Sequence, residues 1–226
     1  MPPPAGTGLD PAGYGREIEA AGFTSVWFPR MNSLADLASV EASGQAYVRP
    51  YSKMVQFLDQ MGEVNAPVGL AALGPRMLGL SRDRTLGAHP YFTPPEHTRY
   101  SREALGPQPL LIPELAPGEP GAAAARDYAK RYLRLPNYTN NLKRFGFTDA
   151  DIEGAGSDRL MSSVVPNGPL ALAARLREHL AAGADHVLVQ LVTEGGAFDA
   201  GGLRELTELV AGSAKLRAAK GVCASG

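Results

Sequence analysis

The segment Leu73-Gly74-Pro75-Arg76-Met77 has the residue types of an anion site, because it runs from an apolar stretch through a glycine into a predicted helix. A helix that begins there presents backbone N–H groups and the positive end of its dipole, and an arginine adds charge-assisted hydrogen bonds to phosphate. We therefore predict a phosphate site at Gly74, Pro75, Arg76 and Met77. The alternative is a plain turn at Gly74 with Arg76 in solvent.

A second candidate for chemistry is His89, which lies near the carboxyl end of a predicted strand, where parallel α/β folds place their ligands. An imidazole with an ordinary pKa near ~6.5 can hydrogen-bond a substrate carbonyl or donate a proton to it. Tyr91 follows two residues later and shares a face with His89. We predict His89 as the catalytic residue and Tyr91 as a substrate-binding residue. The alternative is a histidine that a backbone carbonyl fixes in a loop.

Other aromatic residues and histidines give weaker signals. Trp27 belongs to a predicted buried strand over 24–28, so it either lines a substrate cavity or packs in the core. His97 is expected to be exposed in the first turn of a helix, and His179 lies on another helix. None of the four histidines stands at a metal-ligand spacing, so we predict no metal site.

An alternation of helices and apolar strands must position these residues. The predicted strands centre on residues 26, 70, 89, 112 and 189, and the predicted helices cover 10–21, 51–61, 75–84, a stretch after 94, 122–133, 170–182 and 203–219. This succession predicts βαβ units with helices around a parallel sheet. A complete barrel of eight such units takes ~250 residues. Five strands therefore predict an α/β, TIM-barrel-like fold that is shortened, or an open sheet.

The composition is that of a folded, nearly neutral protein. Of 226 residues, 44% are apolar and 20% are charged, which excludes a wholly disordered chain. The 22 basic and 23 acidic side chains leave a net charge of -1, so nucleic acid is not an expected partner. No apolar run approaches ~20 residues and there is a single cysteine, so we expect no membrane partner and a cytoplasmic location. We predict one domain over 1–226, disordered over 1–9 and flexible over 220–226.

One local exception to the neutral charge is a basic stretch with interleaved tyrosines over residues 128–144. Such a pattern occurs on surfaces that bind nucleic acid. The charge of the whole chain and the lack of a known binding module favour a solvated helix face instead.

Taken in order, five segments of the chain resemble one protein family. They are REIEAAGFTSVW from residue 16, AALGPRMLGLSRDRTLGAHPYFTPPEHTRYSREALGP from 71, YLRLPNYTNNLKRFGFTDADI from 132, GSDRLMSSVV from 156 and AGADHVLVQLV from 182. Over most of residues 13–193 the chain is similar to the luciferase-like monooxygenase superfamily. Within that superfamily it resembles the deazaflavin (coenzyme F-420) dependent oxidoreductases that are common in actinobacteria.

The resemblance implies a TIM-barrel-like (β/α) fold of the bacterial luciferase type. It also implies an oxidoreductase or monooxygenase that transfers hydride between coenzyme F-420, or alternatively flavin mononucleotide (FMN), and a small organic substrate. In this family the loop that corresponds to Gly74–Met77 holds the phosphate of the cofactor, and the region of Tyr138 and Asn141 lies beside the substrate pocket. Tyr138 is therefore a further expected substrate-binding residue.

Parts of the family pattern are missing. Complete members have a strand before the helix at 10–21 and further strands between Trp27 and residue 51, one of which supports the ring of the cofactor. Pro29 and Arg30 stand where many relatives have a histidine or an acidic residue. The alternative function is therefore a catalytically inactive homologue that acts as a binding or partner subunit, either as a homodimer or paired with a full-length paralogue.

Overall fold

The computed structural model describes residues 49–61, 68–118 and 121–190, and all of them belong to one compact unit. Trp27, the predicted strand over 24–28, the predicted helices over 10–21 and 203–219, and the two chain ends lie outside the described residues. Within the described residues the chain is a mixed α/β structure with parallel strands.

Three helices in the first half begin where proline predicts them. They are α1 (Pro50–Met61), α2 (Pro75–Arg84) and α3 (Pro95–Leu105). A proline in the first helical turn costs no hydrogen bond, because the N–H of that position has no partner inside the helix, and its fixed φ already suits the helix. The predicted bounds 75–84 agree with α2 at both ends.

The strands are short and parallel. β1 (Gly69–Leu70), β2 (Gly87–Ala88) and β3 (Leu110–Leu111) form a three-stranded sheet in chain order, and β4 (Glu114–Leu115) pairs with β5 (Leu188–Val189). The strands predicted around residues 70, 89, 112 and 189 are therefore present, although each described strand has only two residues. The described strands do not close a barrel by themselves.

Backbone hydrogen bonds connect the two sheets. The Ile112 amide donates to the Ala88 carbonyl and the Glu114 amide to the Pro90 carbonyl, each at 2.9 Å. The chain after β2 therefore runs beside both β3 and β4. Pro113 divides the strand predicted around residue 112 into β3 and β4, because proline has no N–H to donate to the ladder.

The second half is richer in helices than the sequence predicts. After α4 (Ala123–Leu133) and before α8 (Gly168–Ala181), the chain forms α5 (Pro136–Arg144), α6 (Asp149–Ile152) and α7 (Asp158–Val164). Side chains fix the starts of the two shortest helices. Thr148 and Asp151 form a reciprocal capping box on α6, and the Ser157 hydroxyl accepts the Leu160 amide of α7.

Two apolar clusters form most of the core that these elements enclose. One surrounds the sheet and contains Ala72, Leu78, Ala88, Leu105 and Leu111. The other, which we call the aromatic cluster, combines Phe92, Tyr128 and Tyr138 with the partly buried Tyr91 and Tyr132. None of the described helices is both long and apolar enough to span a bilayer.

Candidate functional site

His89 directly follows β2 at the carboxyl end of the parallel sheet, as predicted. Its amide donates to the Leu70 carbonyl at 2.8 Å, which fixes its backbone beside β1. Its ring atom Nδ1 lies 2.7 Å from the carbonyl oxygen of Ile112. Because a carbonyl oxygen only accepts, Nδ1 carries a proton and donates it to Ile112. The backbone carbonyl foreseen in the alternative is thus present, and it leaves the other ring nitrogen, Nε2, to face a different group.

That group is the carboxylate of Glu114. Its Oε2 atom lies 3.6 Å from His89 Nε2, an ion-pair distance that is slightly too long for a hydrogen bond, and the two side chains are 16% and 25% exposed. Burial lowers the pKa of His89, but the Glu114 carboxylate and the Ile112 carbonyl together outweigh burial. The pKa of His89 therefore lies above its ordinary value of 6.5.

Tyr91 connects His89 to the aromatic cluster. The ring centroids of His89 and Tyr91 are 5.8 Å apart, and Tyr91 lies 5.6 Å from Tyr132 and 5.7 Å from Tyr138. The structure therefore brings together three of the residues singled out in the sequence, His89, Tyr91 and Tyr138. Tyr138 is buried on α5, where it packs into this cluster.

Three tyrosines of this cluster have raised pKa values, so their hydroxyls stay protonated. Burial, followed by the negative charge of Glu114, raises the pKa of Tyr132, and burial raises the pKa values of Tyr128 and Tyr138 well above the ordinary range. Phenols in this state donate hydrogen bonds to oxygen. The Tyr128 hydroxyl is buried and makes no hydrogen bond of standard geometry among the described residues.

The predicted phosphate segment lies at the same end of the sheet, between β1 and α2. Gly74 is the N-cap of α2 and no side chain caps this helix start. A Cβ atom added at Gly74 would meet nothing within 4 Å, so the turn borders open space. The amides of Met77 and Leu78 both donate to the Gly74 carbonyl, at 3.1 and 3.0 Å. Because these two amides are already used, the backbone N–H groups that could bind an anion are those of residues before Met77.

Within this segment the side chains differ in their contacts. Pro75 is exposed at the first position of the helix. The guanidinium of Arg76 is exposed and lies over the ring of Tyr51, 4.1 Å from its centroid. Stacking leaves the N–H edge of a guanidinium available for an anion. Met77 packs against the core, so only its backbone belongs to the turn.

His97 is buried and not exposed, which corrects the expectation from the sequence. Its Nε2 atom donates to the Leu73 carbonyl at 2.9 Å, and its Nδ1 lies 3.2 Å from the Ser101 hydroxyl. The expectation was wrong because the side of α3 that carries His97 faces the loop after β1. His97 thus anchors the residue that precedes Gly74.

Sequence reasoning missed Glu114 and Tyr132 as members of the site. Glu114 stands in an otherwise apolar run, Leu-Leu-Ile-Pro-Glu-Leu, and a carboxylate in a buried strand was the signal that could have found it. Tyr132 follows Tyr128 at helical spacing on α4, which places both rings on one face. The basic stretch over 128–144 therefore turns Tyr128, Tyr132 and Tyr138 into the core.

No family model matches this chain, and no curated protein is significantly similar to it. Among the described residues, no group of three or more histidine, cysteine, aspartate and glutamate side chains is arranged to hold a metal ion.

Proposed function

We propose that this protein is an oxidoreductase that transfers hydride between a deazaflavin (coenzyme F-420) or flavin (FMN) cofactor and a small organic substrate. The main support for the proposal is that two neighbouring loops lie together at the carboxyl ends of the parallel strands β1 and β2. The loop after β1 begins an uncapped helix at Gly74, and the loop after β2 carries His89 and Tyr91. In parallel α/β folds this edge of the sheet binds ligands.

The residues of the loop after β1 fit the phosphate of such a cofactor. The turn at Gly74 borders open space, the dipole of a ten-residue helix points its positive end there, and Arg76 is exposed beside it. In this function Gly74 and Arg76 hold the phosphate. The bound cofactor supplies the hydride chemistry.

In this function the residues of the loop after β2 contact the substrate. His89 donates or accepts a proton at Nε2, since Nδ1 is committed to the Ile112 carbonyl. Tyr91, together with Tyr138 behind it, forms an aromatic wall on one side of the imidazole. Phenol hydroxyls orient an oxygen-bearing substrate by hydrogen bonding, and the rings exclude water.

Replacement of Arg76 tests the phosphate site. The Arg76→Ala variant removes charge-assisted hydrogen bonds, so its cofactor affinity is expected to fall by about 1–3 kcal/mol, or about 5- to 150-fold in Kd. The Kd values come from titrations with coenzyme F-420 and, in parallel, with FMN, followed by the fluorescence of the cofactor. Arg99→Ala, which removes an exposed arginine of α3, is the control and is expected to bind like the wild type.

Equal Kd values for the Arg76→Ala and wild-type proteins would reject Arg76 as a phosphate ligand. Saturable binding of one cofactor and not the other by the wild type identifies the cofactor. Binding of neither by folded protein would contradict the proposed function and favour the inactive partner subunit.

A further inference from the structure

The geometry of the His89–Glu114 pair favours a proton between the two side chains. The Ile112 carbonyl takes the proton of His89 Nδ1 at 2.7 Å, so a neutral imidazole presents the lone pair of Nε2 to Glu114 Oε2 at 3.6 Å. Two lone pairs at this separation repel, and a proton on Nε2 turns the contact into an attractive ion pair. The arrangement therefore favours the imidazolium of His89 beside the carboxylate of Glu114.

The imidazole that carries this proton is only partly buried. A quarter of the His89 side chain is exposed, so a substrate can contact the imidazole. Phenols lie around the pair: Tyr91 is beside His89, and Tyr128 and Tyr132 of α4 are close enough to Glu114 for its negative charge to add to burial in raising their pKa values. Phenol hydroxyls are donors that suit an oxygen atom.

We propose that Glu114 is the positioning residue that keeps a proton on His89 Nε2, and that the site acts on a carbonyl compound, which it reduces to an alcohol, or on the alcohol in reverse. This inference rests on the proposed function for its source of hydride. A ketone or aldehyde oxygen can accept hydrogen bonds from the Nε2–H and from the phenol donors.

Atoms and electrons are conserved in the proposed reduction of the carbonyl group. The carbonyl carbon gains a hydride, and with it two electrons, from the reduced cofactor of the proposed function, which is oxidised by two electrons. The π bond of the C=O group breaks, its electron pair stays on oxygen, and this oxygen forms an O–H bond as the Nε2–H bond of His89 breaks. His89 is left neutral, and a proton from solvent restores the pair.

Nuclear magnetic resonance of the ring nitrogens of His89 tests the role of Glu114 without any cofactor. In the wild type we expect the Nδ1-protonated form when neutral and a pKa above 6.5. In Glu114→Gln the pKa of His89 is expected to fall by about one pH unit or more, because the carboxylate that favours the imidazolium is gone. Glu103→Gln, an exposed glutamate of α3, is the control and is expected to leave the pKa of His89 unchanged.

Two results would overturn the role of Glu114. One is a wild-type His89 that titrates at or below 6.5 or is protonated at Nε2 when neutral, and this result needs no variant to fold. The other is the same pKa of His89 in Glu114→Gln as in the wild type, with His97 still neutral as the sign of an intact fold.

The substrate class is tested by anaerobic oxidation of the reduced cofactor in the presence of cyclohexanone or benzaldehyde. Oxidation that depends on the carbonyl compound, with a pH profile that shifts in Glu114→Gln, supports the inference. Oxidation only when oxygen is admitted, or no reaction with either carbonyl compound despite cofactor binding, would overturn the substrate class. Failure of the cofactor to bind would instead overturn the proposed function and leave the magnetic resonance result intact.

Discussion

His89 and His97 each hold a backbone carbonyl with one ring nitrogen, but they differ in the group that faces the other nitrogen. Ser101 faces Nδ1 of His97, and its hydroxyl can donate to a neutral imidazole. Glu114 faces Nε2 of His89, and its carboxylate favours the imidazolium. Burial accordingly lowers the pKa of His97 to about 4, whereas the pKa of His89 is raised. One histidine is therefore structural and the other is suited to proton transfer.

Gly87, two residues before His89, sets the distance between β2 and β3. A Cβ atom at Gly87 would lie 2.6 Å from the backbone nitrogen and carbonyl carbon of Leu110, which cannot move away without breaking the pairing. Gly87→Ala is therefore expected to lower the free energy of unfolding by about 1–3 kcal/mol. Urea unfolding measures this change.

Gly79→Ala is the matched control in the neighbouring helix α2. A Cβ atom at Gly79 would meet nothing within 4 Å. Alanine in a helix is expected to raise the free energy of unfolding by about 0.5–1 kcal/mol. A Gly87→Ala protein as stable as the wild type would show that a methyl group fits between β2 and β3.

The packing of helix α3 against α8 buries a second polar contact. Thr98 of α3 and His179 of α8 are both fully buried, with the Thr98 hydroxyl 2.7 Å from Nδ1 of His179. Burial, followed by the charges of Arg175 and His97, lowers the pKa of His179 to about 3. Both buried histidines are therefore neutral at physiological pH.

Acid is expected to weaken this packing. A histidine with a lowered pKa in the fold is protonated first in the unfolded chain, so the free energy of unfolding falls as the pH falls from 6.5 to about 4 for His97 and about 3 for His179. Within that window each histidine contributes a slope of about 1.4 kcal/mol per pH unit. The raised pKa of His89 acts with the opposite sign, and above pH 6.5.

Urea unfolding at a series of pH values measures the slope. His179→Gln cannot titrate at this position and is expected to show about half the slope of the wild type between pH 6 and 4. A slope that is the same in both proteins would show that His179 does not carry the acid sensitivity.

The elements that the sequence predicts well are those with local signals. Pro75 and Pro95 mark helix starts whatever packs around them. Helices α6 and α7 were missed because their starts depend on side-chain caps from Thr148 and Ser157, in segments too short for an apolar period. Strand lengths depend on pairing with distant chain, so only the strand centres could be predicted.

In the molecule as a whole, the order of the strands brings the residues of the candidate site together. β1, β2 and β3 lie side by side in chain order, and the chain after β2 continues beside β4, so the residues that follow β1 and β2 meet at one edge of the sheet. Sequence alone could place Gly74 and His89 at that edge, since both follow predicted strands. It could not pair His89 with Glu114, because that contact depends on the register between the chain after β2 and β4.

Hydrogen exchange of the wild-type protein, with and without coenzyme F-420 and with and without FMN, tests the location of the site most directly. We expect one cofactor to slow exchange in both loops, over residues 71–77 and 89–93, since a phosphate at Gly74 and a ring near His89 would shield these amides together. Unchanged exchange in these two loops, in protein that binds the cofactor, would contradict the account.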